Sequence, residues 1–358
     1  MGYGSGGACR RAGKGQVGIC ICKDCWSGHG GVHDEVEYLR IVSGKGVVVL
    51  PEDIVLHKDR ETIWPASANV LLVRDSDGAI LVDVGCGYED TYLRLKEFIS
   101  AQGLSVADIH TVVLTHAHPD HMGAMRFLLE ETSPRIFLHP VEIPLAAEPS
   151  RLNHTFDMAL PLRYGINPFF LEKPDILEYF SNLCPMARAE ATHTIDPDGE
   201  LVLGRFTFRV VVTPGHANGL VSLFEPESGM LFTADAVGDV VAWYSPSSGG
   251  LTGFLAGLDR LAALPASFVV PSHGGISESP LVEVEKTRAR LLRREEKIVG
   301  ELAVEPVSFP ELASRVFASP MIAFFPGPQI LQCHLDKLEA EGRVRCRGEE
   351  DGWRVELA

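Results

Sequence analysis

A layered α/β fold is predicted by two features of the sequence. Short apolar runs rich in β-branched residues alternate with stretches in which apolar residues recur at helical spacing. Several of these runs end abruptly at a histidine or an aspartate, close to a glycine or another small residue. Strand ends can meet at one rim of a sheet, so side chains that are far apart in the sequence can converge there.

The composition sets broad limits on class and location. The chain has 358 residues, of which 46% are hydrophobic and 22% charged, as in a soluble globular protein with room for more than one core. Its net charge of −16 argues against broad electrostatic binding to nucleic acid or to an anionic membrane. No apolar run approaches the ~18 residues that a membrane helix needs, and we find no apolar segment of a secretion signal. A cytoplasmic protein without a membrane partner is therefore expected.

Residues 1–34 differ from the rest of the chain. They are rich in glycine and hold four of the eight cysteines, which are Cys9, Cys20, Cys22 and Cys25. Thiolates at this spacing are able to form a small structural zinc site. An iron–sulfur cluster and a flexible tail with reduced thiols are the alternatives. We therefore treat the segment as a short Cys-rich extension whose metal binding is a hypothesis.

From residue 35 the pattern changes to short strands separated by Gly, Pro or Asp. Strands are predicted at 47–50, 54–56, 70–73 and 80–84, and a helix at 91–102. Asp83 lies at the end of the fourth of these strands. It is either a hydrogen-bond acceptor for a metal-bound imidazole or a turn residue that caps the following helix.

Residues 115–123 form the densest motif of the chain, Thr-His-Ala-His-Pro-Asp-His-Met-Gly. They follow a predicted strand at 109–114 and lead into a predicted helix at 122–130. The motif holds four residues that can bind a divalent metal: His116, His118, Asp120 and His121. Four such residues within six positions are hard to explain as ordinary core or surface residues. One turn cannot enclose two ions, so further ligands are expected downstream.

Three later positions have the required chemistry. His216 follows a predicted strand at 206–212, Asp235 follows a short apolar strand, and His273 follows another. Each lies next to a glycine or another small residue. These three side chains are therefore candidates to complete a site at the rim of a sheet.

This ordered set of motifs resembles the metallo-β-lactamase superfamily over residues 36–279. The resemblance implies an α/β fold in the form of a four-layered αββα sandwich, with two divalent ions. Zinc is expected, and iron or manganese are the alternatives. The implied ligands are His116, His118 and His216 for one ion, Asp120, His121 and His273 for the other, and Asp235 as the bridge. Asp120 and Asp235 are the implied catalytic carboxylates.

Two irregular regions are expected to border this site. Residues 140–191 are rich in proline and aromatic residues and form either a lid or substrate wall or a self-packed helical hairpin. Residues 237–253 form a Gly- and Ser-rich loop that carries Trp243 and Tyr244, which are candidates for substrate contact. A helix at 254–264 is predicted to follow. The short interval from Asp235 to His273 leaves no room for the domain that the RNA-processing branch of the superfamily inserts there.

The C-terminal residues have a third character. Helices at 282–302, 309–316 and 330–340 and a final hairpin predict a winged-helix-like domain. The segment resembles the tail of the lactamase-β-like-2 subgroup, some members of which cut single-stranded RNA. Residues 285–358 hold twelve Lys and Arg against thirteen Asp and Glu, which favours a packing or homo-dimerisation module over a nucleic-acid reader. The predicted division is thus 1–34, 35–284 for the catalytic domain, and 285–358.

The expected activity is that of a binuclear metallo-hydrolase. A hydroxide held between two metal ions about 3.5–4 Å apart would attack a small ester, thioester or lactone. Two alternatives use the same ligands: an endoribonuclease that binds single-stranded RNA, and a mononuclear iron dioxygenase of the persulfide-oxidising type. A non-catalytic binding module is disfavoured, because no ligand of the superfamily pattern is missing.

Overall fold

The computed structural model describes residues 40–43, 46–59, 66–166, 175–181, 183–239, 243–349 and 352–358. The extension at residues 1–34, with Cys9, Cys20, Cys22 and Cys25, lies outside the described residues. The described part begins with a hairpin of β1 (Arg40–Ser43) and β2 (Gly46–Val49). Along the described chain no helix is both long enough and apolar enough to cross a bilayer.

The first sheet of the described chain has six strands. In chain order they are β3 (Ile54–His57), β4 (Val70–Asp75), β5 (Gly78–Val82), β6 (Ile109–Val113), β7 (Arg135–Leu138) and β8 (His193–Thr194). They neighbour one another in that same order, antiparallel from β3 to β5 and parallel from β5 to β8. The helices between them are α1 (Glu89–Ala101), α2 (Pro119–Met122), α3 (Met125–Glu131), α4 (Ile143–Ala147), α5 (Leu152–Thr155), α6 (Leu160–Arg163) and α7 (Ile176–Phe180). The parallel half therefore presents its strand ends, and the turns that follow them, at one rim.

The second sheet of the described chain has five strands. They are β9 (Glu200–Leu203), β10 (Phe206–Val212), β11 (Val221–Glu225), β12 (Met230–Ala234) and β13 (Phe268–Pro271). Their spatial order is β13-β12-β11-β10-β9. Only the β12–β13 pair among them is parallel, and α8 (Gly250–Ala262) makes the crossover between these two strands.

The two sheets pack face to face, and helices cover their outer faces. Alternation along β4 shows how the sequence achieves this, because successive side chains of a strand point to opposite faces. Leu71 and Val73 belong to the core between the sheets, together with residues of β10 and β11. Leu72 belongs to the core under α1, where Leu95 and Ile99 are buried. Both faces of β4 are thus buried, and the predicted αββα sandwich is confirmed.

The C-terminal part contains the predicted helices and hairpin. Its elements are α9 (Pro280–Leu302), β14 (Val307–Ser308), α10 (Phe309–Val316), α11 (Pro320–Phe324), α12 (Gly327–Ala340), β15 (Val344–Glu349) and β16 (Gly352–Leu357). The strands form a sheet in the order β14-β16-β15. α9 begins before residue 285 and runs across the predicted domain boundary, and α12 packs against α8. The winged-helix assignment and the boundary remain predictions.

Two of the elements that differ from their predicted limits border the candidate site. The helix predicted at 122–130 is divided into α2 and α3 where the Ala124 N–H donates to the Gly85 oxygen at 3.0 Å instead of to the preceding turn of the helix, and Gly123 packs closely on the Gly87 backbone. A Cβ at Gly123 would lie 2.3 Å from the nitrogen of Gly87 and 2.4 Å from the oxygen of Pro119. The helix predicted at 254–264 begins earlier, at Gly250, so the loop predicted at 237–253 is shorter than expected.

A buried ion-pair cluster joins α9 to α12. Glu295 accepts hydrogen bonds from Lys337 Nζ at 3.0 Å and from Arg343 Nη1 at 3.1 Å, and only 8% of its side chain is exposed. Burial alone would raise the pKa of Glu295, but the nearby His334 and Lys337 lower it to about 2. The ionised carboxylate therefore stabilises the packing of α12 on α9.

We predict that Glu295→Gln lowers the free energy of unfolding by about 3 kcal/mol at neutral pH. The pKa of Glu295 is lower in the folded chain than its ordinary value of 4.5, so this stabilisation is present above about pH 4.5 and is lost as the pH falls towards 2. Urea midpoints from neutral pH down to about pH 3 measure the effect. Glu285→Gln, which removes an exposed pair with Arg288, is the control and should cost less than about 1 kcal/mol. If the loss of stability in Glu295→Gln did not change with pH, an ionised Glu295 would not be the source of the stabilisation.

Candidate metal centre

The seven predicted ligands come together at the rim where strands of both sheets end. The turn between β6 and α2 carries His116 and His118, and Asp120 and His121 lie on α2 itself. The other three residues follow strands of the second sheet: His216 after β10, Asp235 after β12 and His273 after β13. The side chains form two groups, each with ligand atoms within 4.8 Å of one another.

The first group consists of three buried imidazoles. His216 Nε2 lies 2.8 Å from His118 Nδ1 and 3.1 Å from His116 Nε2. Two nitrogens bound to one zinc ion at about 2.0–2.1 Å would be roughly 3.3 Å apart in a tetrahedral site, so the observed spacing suits one ion. Burial lowers the pKa of all three histidines, and the neighbouring imidazoles lower those of His116 and His118 further. The rings are thus neutral at pH 7, which is the form that binds metals.

The second group contains two carboxylates and two imidazoles. His273 Nε2 lies 3.3 Å from Asp120 Oδ2 and 3.5 Å from Asp235 Oδ1. The side chain of His121 is fully buried, whereas those of His273 and Asp120 keep 26% and 15% of their surface exposed. This group therefore forms the side of the centre that solvent and a substrate can reach.

Asp235 is a member of the second group that also faces the first. Its Oδ2 is 3.3 Å from His216 Nε2 in the first group, and its Oδ1 is 3.0 Å from His121 Nε2 in the second. The contact with His121 lacks hydrogen-bond geometry, so these two buried atoms have no hydrogen-bond partner among the described residues. Such an atom costs about 1–3 kcal/mol, which a bound cation would offset. The donor set and these two atoms fit a pair of divalent ions.

The electrostatics of the second group also favour a cation. Burial disfavours a charged His121, but the carboxylates of Asp235, Asp83 and Asp120 raise its pKa well above the ordinary value. Burial likewise opposes the charge of Asp235, yet the surrounding histidines hold its pKa well below the ordinary value. The Asp235 carboxylate therefore remains ionised at neutral pH and attracts positive charge to this position.

Asp83 supports His121 from behind. Its Oδ2 lies 2.8 Å from His121 Nδ1, and its Oδ1 accepts from the Thr115 backbone N–H at 2.8 Å. The predicted contact with a ligand-type imidazole is therefore present, and α1 begins only at Glu89, so Asp83 does not cap it. Asp83 has a φ of 60°, and Ala234, which precedes Asp235, has a φ of 47°. Left-handed backbone at non-glycine residues costs of order 1–3 kcal/mol and is concentrated at functional sites.

Glu142 is a part of the centre that sequence reasoning missed. Its carboxylate is fully buried, and it accepts from Ala117 N–H at 3.2 Å and from Gly219 N–H at 2.8 Å. It thereby joins the turn of His116 and His118 to the loop of His216. Burial raises its pKa, although the two N–H groups oppose this. The sequence offered one signal that Glu142 belongs to the centre, which is its position shortly after the end of β7. Each predicted ligand of the second sheet follows the end of a strand in the same way.

Both irregular regions contribute to the wall of the first group. The ring of Phe156 lies 4.8 Å from that of His118 and 4.0 Å from that of Trp243. Trp243 also accepts a hydrogen bond from His216 Nδ1 through its backbone oxygen, at 2.7 Å. In contrast, Tyr164 stacks on Phe309 of α10, so the described residues between 140 and 191 do more than line a substrate wall.

A comparison with known families identifies the superfamily of the chain. Residues 63–273, which include all seven candidate ligands, match the family model of the metallo-beta-lactamase superfamily. The chain belongs to this superfamily. The probable metallo-hydrolase YqjP of Bacillus subtilis is 25% identical to it over 309 residues, covering 82% of this chain and 94% of that protein. The beta-lactamase-like protein 2 homolog of Drosophila melanogaster, which bears the name of the predicted subgroup, is 24% identical over 77% of this chain and 84% of its own length. The resemblance predicted from the motifs is confirmed.

Solved structures of the superfamily have the same architecture. The metallo-beta-lactamase family protein TTHA1429 from Thermus thermophilus superposes with a TM-score of 0.69 at 25% identity, covering 86% of this chain and 99% of that chain. A beta-lactamase domain protein from Burkholderia ambifaria gives a TM-score of 0.70 at 21% identity, with coverages of 88% and 96%. At 21% identity, the similarity to the Burkholderia ambifaria protein shows a shared fold and nothing more. Both superpositions extend beyond the matched residues 63–273, because they cover more than four fifths of the chain.

We predict that Asp83→Asn weakens binding of one divalent ion by about 10–100-fold, the usual effect of losing an outer partner of a metal ligand. The amide keeps the size of the side chain and tolerates the positive φ, but one of its two ends can no longer accept a hydrogen bond. Competition with a chelator measures the affinity. Asp53→Asn is the control, because Asp53 also has a positive φ but pairs with Arg205 on the surface. Equal affinities for Asp83→Asn and the parent protein would show that Asp83 does not support the centre.

Proposed function

We propose that the protein is a binuclear metal-dependent hydrolase of a small ester, thioester or lactone. The observation that carries the proposal is the position of Asp235, whose two oxygens face the two groups of ligands separately. A single carboxylate shared in this way favours two ions over one. The names of the relatives, which include probable metallo-hydrolases, support the reaction class.

The residues divide into two ligand sets. One ion would be held by three imidazoles, those of His116, His118 and His216. The other would be held by Asp120, His121 and His273. Asp235 would contribute to both sets. Imidazole and carboxylate donors suit zinc, and the same set also accepts iron or manganese. When bound, two such ions act as Lewis acids and lower the pKa of water towards ~7. The exposed edge formed by Asp120 and His273 is where a substrate would approach.

Asp120 has a further role in the proposal. Burial alone would raise its pKa, but His121 and His273 lower it, so its carboxylate is ionised at neutral pH. An ionised carboxylate at the open edge can accept a proton or hold a donor in place. Asp83 and Glu142 would orient the ligands without touching substrate.

The wall of the centre supports a neutral, partly apolar substrate. The half-buried ring of Trp243 lies beside His118 and offers aromatic surface to an acyl group, and the buried ring of Phe156 packs against it. Three of the cations of α9 that would serve an RNA-binding face are engaged within the chain. Arg288 pairs with Asp259, Arg290 donates to the oxygen of Asp239, and Arg294 donates to Tyr244. These contacts weaken the endoribonuclease alternative.

We predict that the purified protein binds two divalent ions per chain and hydrolyses members of an ester, thioester and lactone panel. Asp120→Asn should lower kcat by about 10²–10⁴-fold, because it removes a carboxylate from the reacting edge. Elemental analysis and steady-state kinetics measure both effects. Asp75→Asn is the control: Asp75 also pairs with a histidine, His110, but lies away from the centre.

Two further substrates, single-stranded RNA and a persulfide, decide between the alternatives. Cleavage of single-stranded RNA with a steep dependence on salt would replace the proposal with the endoribonuclease. One iron per chain with oxygen consumption on a persulfide would replace it with the dioxygenase. A protein that binds no metal after reconstitution would exclude all three.

A further inference from the structure

The peptide between Trp243 and Tyr244 connects the metal centre to the C-terminal part of the chain. At one end, the backbone oxygen of Trp243 accepts the hydrogen bond from His216 Nδ1 at 2.7 Å. His216 belongs to the first group of imidazoles, so this bond orients a ring whose other nitrogen faces His116 and His118. A partner on the second nitrogen of a ligating histidine fixes both its tautomer and its orientation.

At the other end, the side chain of Tyr244 is held by two residues of the tail. Tyr244 is fully buried, its hydroxyl lies 2.8 Å from His334 Nε2 on α12, and Arg294 Nη1 on α9 donates to it at 2.7 Å. Both partners lie in the C-terminal part, at residues 280–340. The tail thus contacts Tyr244, and Tyr244 is joined by one peptide bond to the residue that accepts the hydrogen bond of His216.

The hydrogen bonds of Tyr244 have only one consistent direction. A guanidinium can only donate, so the phenol accepts from Arg294 and its own O–H must donate to His334. His334 Nε2 is therefore unprotonated, and burial lowers the pKa of His334 and favours this neutral form. The proton of the ring then lies on Nδ1, which is 3.8 Å from Glu295 Oε2. The phenol is consequently held from two sides.

The geometry of the peptide bond transmits this restraint. The carbonyl of Trp243 and the Cα of Tyr244 lie in one peptide plane, so fixing Tyr244 limits the rotation of the carbonyl. We infer that Arg294 and His334 are positioning residues of the metal centre, which act through Tyr244 and the Trp243 carbonyl on His216. The tail is then a structural part of the centre in addition to packing against the sandwich. The inference rests on the proposed function in one respect, which is that the three imidazoles bind an ion.

A second support of the same loop belongs to the body of the protein. Ser248 donates through Oγ to the oxygen of Gly215 at 2.5 Å, and Gly215 N–H donates back to the oxygen of Ser248 at 2.8 Å. If these bonds alone fixed the loop, the tail would have no effect on His216. The decisive experiment must therefore weaken the tail contact and leave Ser248 and Gly215 unchanged.

Tyr244→Phe makes this change, because it removes only the hydroxyl. Its matched control is Tyr164→Phe, which removes another hydroxyl between the body and α12: Tyr164 donates to Gln332 but does not contact the 243–248 loop in any described bond. His334→Leu and His334→Gln complete the set. Leucine cannot accept from Tyr244, whereas the glutamine side-chain oxygen can take the place of Nε2.

Metal affinity and stability are measured separately on the full-length chain. Zinc affinity is obtained by competition with a chelator, cobalt substitution reports the coordination of each site in its visible spectrum, and thermal unfolding of the metal-free protein reports stability. Tyr244→Phe and His334→Leu should each weaken the binding of one of the two ions about tenfold or more. Each should also change the visible spectrum of one cobalt site. His334→Gln should restore most of the affinity, and Tyr164→Phe should change stability only.

Two results would overturn the inference. In one, Tyr244→Phe and His334→Leu bind both ions as tightly as the parent protein, which would mean that Ser248 and Gly215 suffice. In the other, Tyr164→Phe loses affinity to the same extent, which would mean that the losses follow general destabilisation. A parent protein that binds no ion would instead refute the proposed function, and the inference with it.

Discussion

The structure depends on one shared carboxylate, that of Asp235. Its two oxygens face imidazoles from opposite sheets: His121 follows β6 of the first sheet, and His216 follows β10 of the second. A buried carboxylate is costly unless positive charge or hydrogen bonds compensate it. The sheets can therefore meet at this rim only where histidines, or a cation held by them, supply that compensation. The left-handed φ of Ala234, which costs energy on its own, is consistent with this demand on the position of Asp235.

The two groups around Asp235 differ in burial and charge, and this difference suits different tasks. His116, His118 and His216 are buried and neutral, with carboxylate, carbonyl and aromatic neighbours that hold them in place. The second group is acidic and keeps an open edge. An ion in the first group would exchange slowly and serve mainly to fix geometry. An ion in the second would meet the substrate.

The strand pattern of the sequence placed all seven candidate ligands after apolar strands, and its resemblance to the superfamily implied the sandwich and the division of the ligands into two sets. What it did not reveal depends on contacts between distant segments. Glu142 has no motif of its own, and its role appears only when the turn at Ala117 and the loop at Gly219 come together around it. Trp243 was expected to touch substrate through its ring, yet its hydrogen bond to His216 comes from a backbone oxygen, which every residue has. The break between α2 and α3 likewise depends on a distant segment, because the Ala124 N–H donates to the Gly85 oxygen.

The aromatic rings beside His118 affect the electrostatics of the centre. Phe156 and Trp243 pack against each other at 4.0 Å between ring centroids and keep water from the first group. In a drier environment, the attraction between ionised Asp235 and any cation is stronger than it would be in water. Burial behind these rings therefore favours a cation held between Asp235 and the three imidazoles.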